Sequence, residues 1–238
     1  MKFLLEWPPF RETKNPVKQF LTQVLHERLS AEQWSWLEAV CATIQSGAGS
    51  NAITASYAAA SRRLGKRALQ LTLSEQAGLA ESFRLMQMNR WGADEAGRAV
   101  ILLSLVERPR DEFVEIVRQC YEFGDSREQQ SWLRSLSLLP ESELFLDTAI
   151  DSCRTNIVPL FEAIACENPY PSRYFLELNF NQMVLKCLFN RIALSRVIGL
   201  ESRYNPELTR MADHYVKELN AAGRDVPKDI GLLIGSQA

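Results

Sequence analysis

Apolar residues recur along the chain at intervals of three and four, the spacing that gathers them on one face of an α-helix. In NPVKQFLTQVLHERL, Val17, Phe20, Leu21, Val24 and Leu25 form such a face. Asn15 stands where that helix needs a cap, and Pro16 occupies the first position, where its missing N–H costs nothing. SAEQWSWLEAVCATI repeats the pattern with Trp34, Leu37, Val40, Cys41 and Ile44, and Ser30 with Gln33 forms a capping box. The small residues of GAGSNAITASYAAASRRLG predict a helix lying close to a neighbour and stopped by Gly65. Thr72 and Glu75 make a second box. Further helices are predicted near 74–87, 94–107, 111–123, 126–138 and 141–153, with Gly92, Pro109, Gly124 and Pro140 in the connectors. Two more follow near 190–200 and 206–222, and a weaker one at 227–234. NPEL at 205–208 is the clearest helix start: Asn205 caps, Pro206 opens, and Glu207 suits the positive end.

No sustained alternation of period two and no NG or DG hairpin is present, so strands are not predicted. The fold class is all-α, with roughly ten or more short antiparallel helices in a bundle or a HEAT-like array. Any such array is degenerate, because no strict repeat recurs at a fixed period. No linker or shift in composition divides the chain, and residues 1–238 read as a single all-helical domain.

Composition narrows the function classes. Lys and Arg total 27 against 29 Asp and Glu, which lacks the cation excess of a nucleic-acid binder. No apolar run approaches the roughly 20 residues of a membrane span. In MKFLLEWPPFRE, Glu6 and two prolines interrupt the apolar patch before a signal-peptide core forms, so no membrane insertion and a cytoplasmic location are expected. The five cysteines, Cys41, Cys120, Cys153, Cys166 and Cys187, show no CxxC spacing and read as reduced, buried small hydrophobes. With only His26 and His214, no HExxH, no Gly-rich phosphate loop and no GxSxG elbow, no catalytic residue, metal or cofactor is expected.

One charged cluster invites two accounts. Arg62, Arg63, Lys66 and Arg67 either complement the negative end of a helix at Gly65 or bind an anion or an acidic partner. Asp94/Glu95 and Asp111/Glu112 stand at helix starts, where they suit the dipole.

The most informative stretch is RTNIVPLFEAIACENPYPSRYFLELNFNQMVLKCLFN, residues 154–190. Its apolar density marks core, yet polar residues interrupt it. Pro159 inside a helical pattern predicts a kink and leaves the carbonyl of Thr155 in need of another partner. Thr155, Pro159, Glu162 and Cys166 share one face, flanked by Arg154 and Asn156. Asn168-Pro-Tyr-Pro predicts a stiff extended turn. Gln182 and Lys186 lie one turn apart on the next helix, beside Asn181. Burying these groups unpaired costs about 1–3 kcal/mol each. They therefore either satisfy one another, Glu162 with Arg154 or Lys186, or face a ligand.

RTN–VPLFEAIACENPYP, then NQMVLK, then GL–R–NPEL and AAGR resemble the EboA family of metabolite-traffic proteins. SAEQWSWLE and GADEAGRAVILLSL extend the likeness more weakly upstream. The matching positions are Arg154, Thr155, Asn156, Glu162, Asn168, Tyr170, Asn181, Gln182 and Lys186. Such proteins are encoded in small operons with a UbiA-like prenyltransferase, a TatD-like hydrolase, a dehydroquinate-synthase-like protein and TIM-barrel proteins. The resemblance implies a role in moving a biosynthetic precursor, such as the scytonemin monomer, from cytoplasm to periplasm. The expected partners are then a small-molecule precursor or the other ebo-operon proteins. Three roles compete: a non-enzymatic carrier or adaptor binding through Arg154, Asn156, Glu162, Asn168, Tyr170, Asn181, Gln182 and Lys186; an enzyme acting on a prenyl or aromatic precursor with Glu162 and Lys186 as acid and base; and a scaffold whose polar residues only hold the fold.

Overall fold

The computed structural model describes residues 15–82 and 85–234; residues 1–14, with the N-terminal apolar patch, lie outside the described residues, as do 83–84 and 235–238. The described residues form thirteen α-helices and five short 3-10 turns, with no strand beyond one isolated antiparallel bridge between Ala68 and Gly92. The fold is all-α. None of the described helices is long and apolar enough to cross a membrane.

The chain divides into two compact units. Unit 1 runs through Ser142, apart from Leu85–Gln87, which belong with Glu143 onward in unit 2. Unit 1 holds α1 (Pro16–Arg28), α2 (Ala31–Gln45), α3 (Ser50–Leu64), α4 (Leu73–Ser82), α5 (Ala93–Leu103), α6 (Arg110–Glu122) and α7 (Ser126–Ser135). The caps at Asn15, Ser30 and Thr72 are those the sequence predicts. The Asn15 side chain accepts from the amides of Val17 and Lys18. Ser30 with Gln33 and Thr72 with Glu75 exchange reciprocal bonds. Asp125 with Glu128 adds a third such box at α7.

Every residue of α5 is buried, and it lies against α1, α2, α3 and α7. Gly97 makes its approach to α3 feasible, because a Cβ there would run into the Leu64 side chain. The helix stops at Leu103, short of the predicted 107: the Ser104 hydroxyl donates to the carbonyl of Val100 at 2.7 Å, and turns follow. Near 126–138 the α-helix ends at Ser135, and 3-10 geometry continues over Leu136–Leu138.

Unit 2 holds α8 (Leu146–Ser152), α9 (Val158–Ala165), α10 (Tyr170–Tyr174), α11 (Glu177–Phe189), α12 (Pro206–Ala221) and α13 (Gly231–Ile234). Its buried apolar side chains include Phe161, Ile164, Phe180, Val184, Leu188 and Leu208. A helix over 190–200 does not form. Arg191 (φ 55°) and Gly199 (φ 76°) adopt left-handed backbone, and only Leu194–Arg196 makes a 3-10 turn. Main-chain groups of this segment bond elsewhere instead: the Leu194 amide donates to Asp229 Oδ2 at 2.8 Å, and the Arg196 carbonyl accepts from the Glu167 amide at 2.8 Å.

Candidate functional site

Residues 154–190 fold differently from the expected kinked helix. α9 begins at Val158, so Pro159 sits in its first turn, where no main-chain donor is needed, and produces no kink. Thr155 lies before the helix, off the face that carries Glu162. Asn168-Pro-Tyr-Pro is a helix start rather than an extended turn. Pro169 adopts the α region, Tyr170 opens α10, and Asn168 Oδ1 accepts from the Tyr170 amide at 3.0 Å. The Asn168 side-chain amide also donates to the Ala163 carbonyl at 3.0 Å, tying the end of α9 to the start of α10. Tyr170 is fully buried against Tyr174 and Phe175, and burial pushes its phenol above the ordinary range.

The carboxylate of Glu162 pairs with neither Arg154 nor Lys186. Arg196 takes it, Nη1 to Oε1 at 2.6 Å, while donating Nε and Nη2 to both oxygens of Glu167 at 2.6 and 3.0 Å. Glu167 and then Glu162 hold the Arg196 guanidinium firmly protonated. Arg154 is exposed and pairs with Asp151 one turn back, at 2.6 Å. Lys186 donates to the carbonyls of Cys153 and Thr155, both at 2.6 Å, and lies 5.0 Å from the centre of the Phe161 ring. These carbonyls follow α8, where a cation complements the negative helix end.

Asn181 is fully buried and exchanges two hydrogen bonds of 3.0 Å with Asn205, each amide both donating and accepting. Asn205 Oδ1 also accepts from the Leu208 amide at 2.8 Å, so Asn181 locks onto the cap of α12. Arg203 repeats the device seen at Lys186: it donates to the carbonyls of Ser172 and Phe175, both at 2.7 Å, with its guanidinium 4.6 Å from the Phe180 ring centre. Of the eight candidates, Asn168 and Tyr170 bond one another. Glu162, Asn181 and Lys186 bond to other parts of unit 2, and Arg154, Asn156 and Gln182 face solvent. Lys186 nevertheless draws α11 beside residues 153–155, one helical turn from Gln182.

Unit 1 holds a charged cluster of which the sequence pattern marks only Asp94 and Glu95, as helix-start residues. Asp94 and Glu95 do open α5, and Glu95 accepts from the Gly92 amide at 2.7 Å. Both are also fully buried, with Arg98 beside them. Asp94 accepts from Ser61 Oγ at 2.6 Å, from Arg98 Nη1 at 3.2 Å, and from Arg127 Nε and Nη2 at 2.6 and 2.7 Å. Arg98 donates further to the Tyr57 carbonyl at 3.0 Å and to Ser131 Oγ at 3.2 Å. Glu95 pairs with Arg134, and Glu128 faces Arg98 at 3.9 Å. Three carboxylates thus meet three guanidiniums. The signal for it was Arg98 itself, a cation inside the apolar run ADEAGRAVILL that burial obliges to find carboxylates. A pocket of about 240 Å³ beside this cluster is lined by Asn51, Thr54, Gln119, Cys120 and Glu128, among others.

Among the described residues, no three His, Cys, Asp or Glu side chains converge as metal ligands would.

The motifs that point to a family lie in both units, and a family model covers nearly all of the chain: that of Metabolite traffic protein EboA matches residues 17–235. The chain belongs to the EboA family. No curated protein and no solved structure matches it. In this EboA member three of the tied polar groups of unit 2 fall within those motifs: Asn168 in NPYP bonds the Ala163 carbonyl, Lys186 in NQMVLK bonds the carbonyls of Cys153 and Thr155, and Asn181 in NQMVLK bonds Asn205 of NPEL.

Proposed function

We propose that this EboA-family chain is a non-enzymatic binding or adaptor protein. It works from the cytoplasm within an ebo-type operon, helping a biosynthetic precursor toward the periplasm. It contacts that precursor, or a companion protein, through Arg154, Asn156 and Gln182. Glu162, Asn168, Tyr170, Asn181 and Lys186 hold the shape of this surface. The family's metabolite-traffic description supports the general role. One observation favours binding over catalysis: Glu162 and Lys186, the acid–base pair of the enzyme alternative, are each committed elsewhere, to Arg196 and to two carbonyls. A general base needs a free approach to the proton it removes.

The test is affinity purification of the tagged chain from cells that make the companion proteins, with mass spectrometry of bound proteins and small molecules. A companion or precursor is expected with the wild-type chain and is lost from Asn156→Ala/Gln182→Ala. Both substituted side chains are exposed, so the melting temperature stays within about 2 °C. Undiminished capture by the double variant rejects this surface. Turnover of a precursor by the purified chain, abolished by Glu162→Gln, rejects the non-enzymatic reading.

A further inference from the structure

Where the first turn of α2 meets the last turn of α3, unit 1 carries a groove of about 430 Å³, lined by Ser30, Glu32, Gln33, Trp36, Arg62 and Arg63. The volume falls in the range of roughly 300–1,000 Å³ typical of small-molecule sites. The geometry points to a binding site here for a flat, conjugated carboxylate.

Three observations carry this. First, Arg62 and Arg63 are exposed and have no hydrogen-bond or ion-pair partner among the described residues, whereas Arg28, Arg98, Arg108, Arg127, Arg196 and Arg203 are all engaged. Second, helix termination does not occupy them: the Leu64 carbonyl accepts from Gln33 Nε2 at 3.0 Å and the Ser61 carbonyl from the Gly65 amide at 3.2 Å. Two guanidinium forks therefore remain available for a carboxylate, which they match in shape. Third, the half-buried Trp36 offers an indole for a flat ring to lie against. Glu32, the single carboxylate of the lining, leaves the groove net positive. It can accept from a hydroxyl or N–H on the ligand's far edge.

This site is separate from the surface of unit 2, and its test uses the purified chain alone. The probe is 2-naphthoate, measured by isothermal titration calorimetry against 2-naphthalenemethanol, which keeps the ring without the charge, and against acetate, which keeps the charge without the ring. Naphthoate is expected to bind at one site with a dissociation constant of about 0.1–1 mM. Both controls bind at least about tenfold more weakly. Arg62→Gln/Arg63→Gln lowers naphthoate affinity at least about tenfold, and Trp36→Leu at least about fivefold. Absence of saturable binding overturns the site, as does an unchanged affinity in the double arginine variant. Equal binding of acetate also overturns it, because the patch then only gathers anions. Far-ultraviolet circular dichroism confirms that each variant is folded.

Discussion

The ammonium of Lys186 lies 2.6 Å from the main-chain carbonyl oxygen of Thr155. That carbonyl belongs to no helix, because α9 starts only at Val158, and a second carbonyl, of Cys153, takes another of the three N–H groups at the same distance. Among the described residues no carboxylate joins them: the charge is met by main-chain dipoles and the Phe161 ring. Lys186→Met keeps the stem against Phe161 and removes both bonds. Hydrogen bonds to charged groups contribute about 1.5–3 kcal/mol each. Because Lys186 is half-buried, water replaces part of that loss. A destabilisation of about 1.5–3 kcal/mol is expected in urea unfolding, and a change below about 0.5 kcal/mol would show that the carbonyls are served equally well by solvent.

Asn181 and Asn205 form a closed amide pair in which the cap of α12 is itself held by a side chain from α11. Asn181→Ala breaks two part-buried bonds but leaves the cap, at a cost of about 1–3 kcal/mol. Asn205→Ala loses the cap as well and costs about 1 kcal/mol more. The double variant is expected to show a coupling of about 1 kcal/mol in a double-mutant cycle. Strict additivity would mean that the two amides act independently of one another.

Thiol reactivity reports burial directly. Burial, and next the charge of Glu128, pushes the Cys120 thiol up to about 12. At pH 8 only about one molecule in ten thousand then carries the reactive thiolate. Cys187 is held well above the usual range by its hydrogen bond with Cys166 and by burial. Cys41 is only half-buried. Iodoacetamide followed by intact-mass analysis is expected to modify Cys41 first in the native protein. Cys120, Cys166 and Cys187 become reactive only in denaturant. Labelling of Cys120 as fast as Cys41 contradicts this burial.

Local chemistry was the part of the fold most legible in the sequence. The caps at Asn15, Ser30 and Asn205 depend on neighbours within three residues, and each forms as its motif predicts. The missed features depend on distant partners. Residues 190–200 have helical periodicity, but Asp229 and Glu167 capture main-chain groups of that segment. Glu162 finds Arg196, 34 positions away, rather than the nearer-seeming Arg154. Pro159 makes no kink because its helix starts one residue before it, a boundary that apolar spacing does not mark. For the candidate site, sequence identified the polar residues of 154–186 but not which of them the fold would consume, since that choice belongs to tertiary pairing.

Asp94 ties Ser61, Arg98 and Arg127 together from a position with no solvent exposure. Burial alone would raise its carboxyl. Hydrogen bonds from Arg127 and Ser61, with the charges of Arg127 and Arg98, outweigh that and hold it below the ordinary carboxylate range. The sign of the pH effect follows. A carboxyl depressed in the folded state stabilises the protein fully above its unfolded value of about 3.9, and that contribution disappears as pH falls through the lower folded value. Asp94→Asn leaves the buried Arg98 and the half-buried Arg127 short of an anion; with part of the loss met by water at Arg127, it is expected to cost about 2–4 kcal/mol near neutrality. Below about pH 4 the wild-type protein loses the same contribution by protonation, so the gap between the two proteins narrows. Urea unfolding at pH 7, 5 and 3 measures it: a gap that stays constant across the three values rules out Asp94 as a source of the acid sensitivity, and a gap that widens toward pH 3 contradicts the sign.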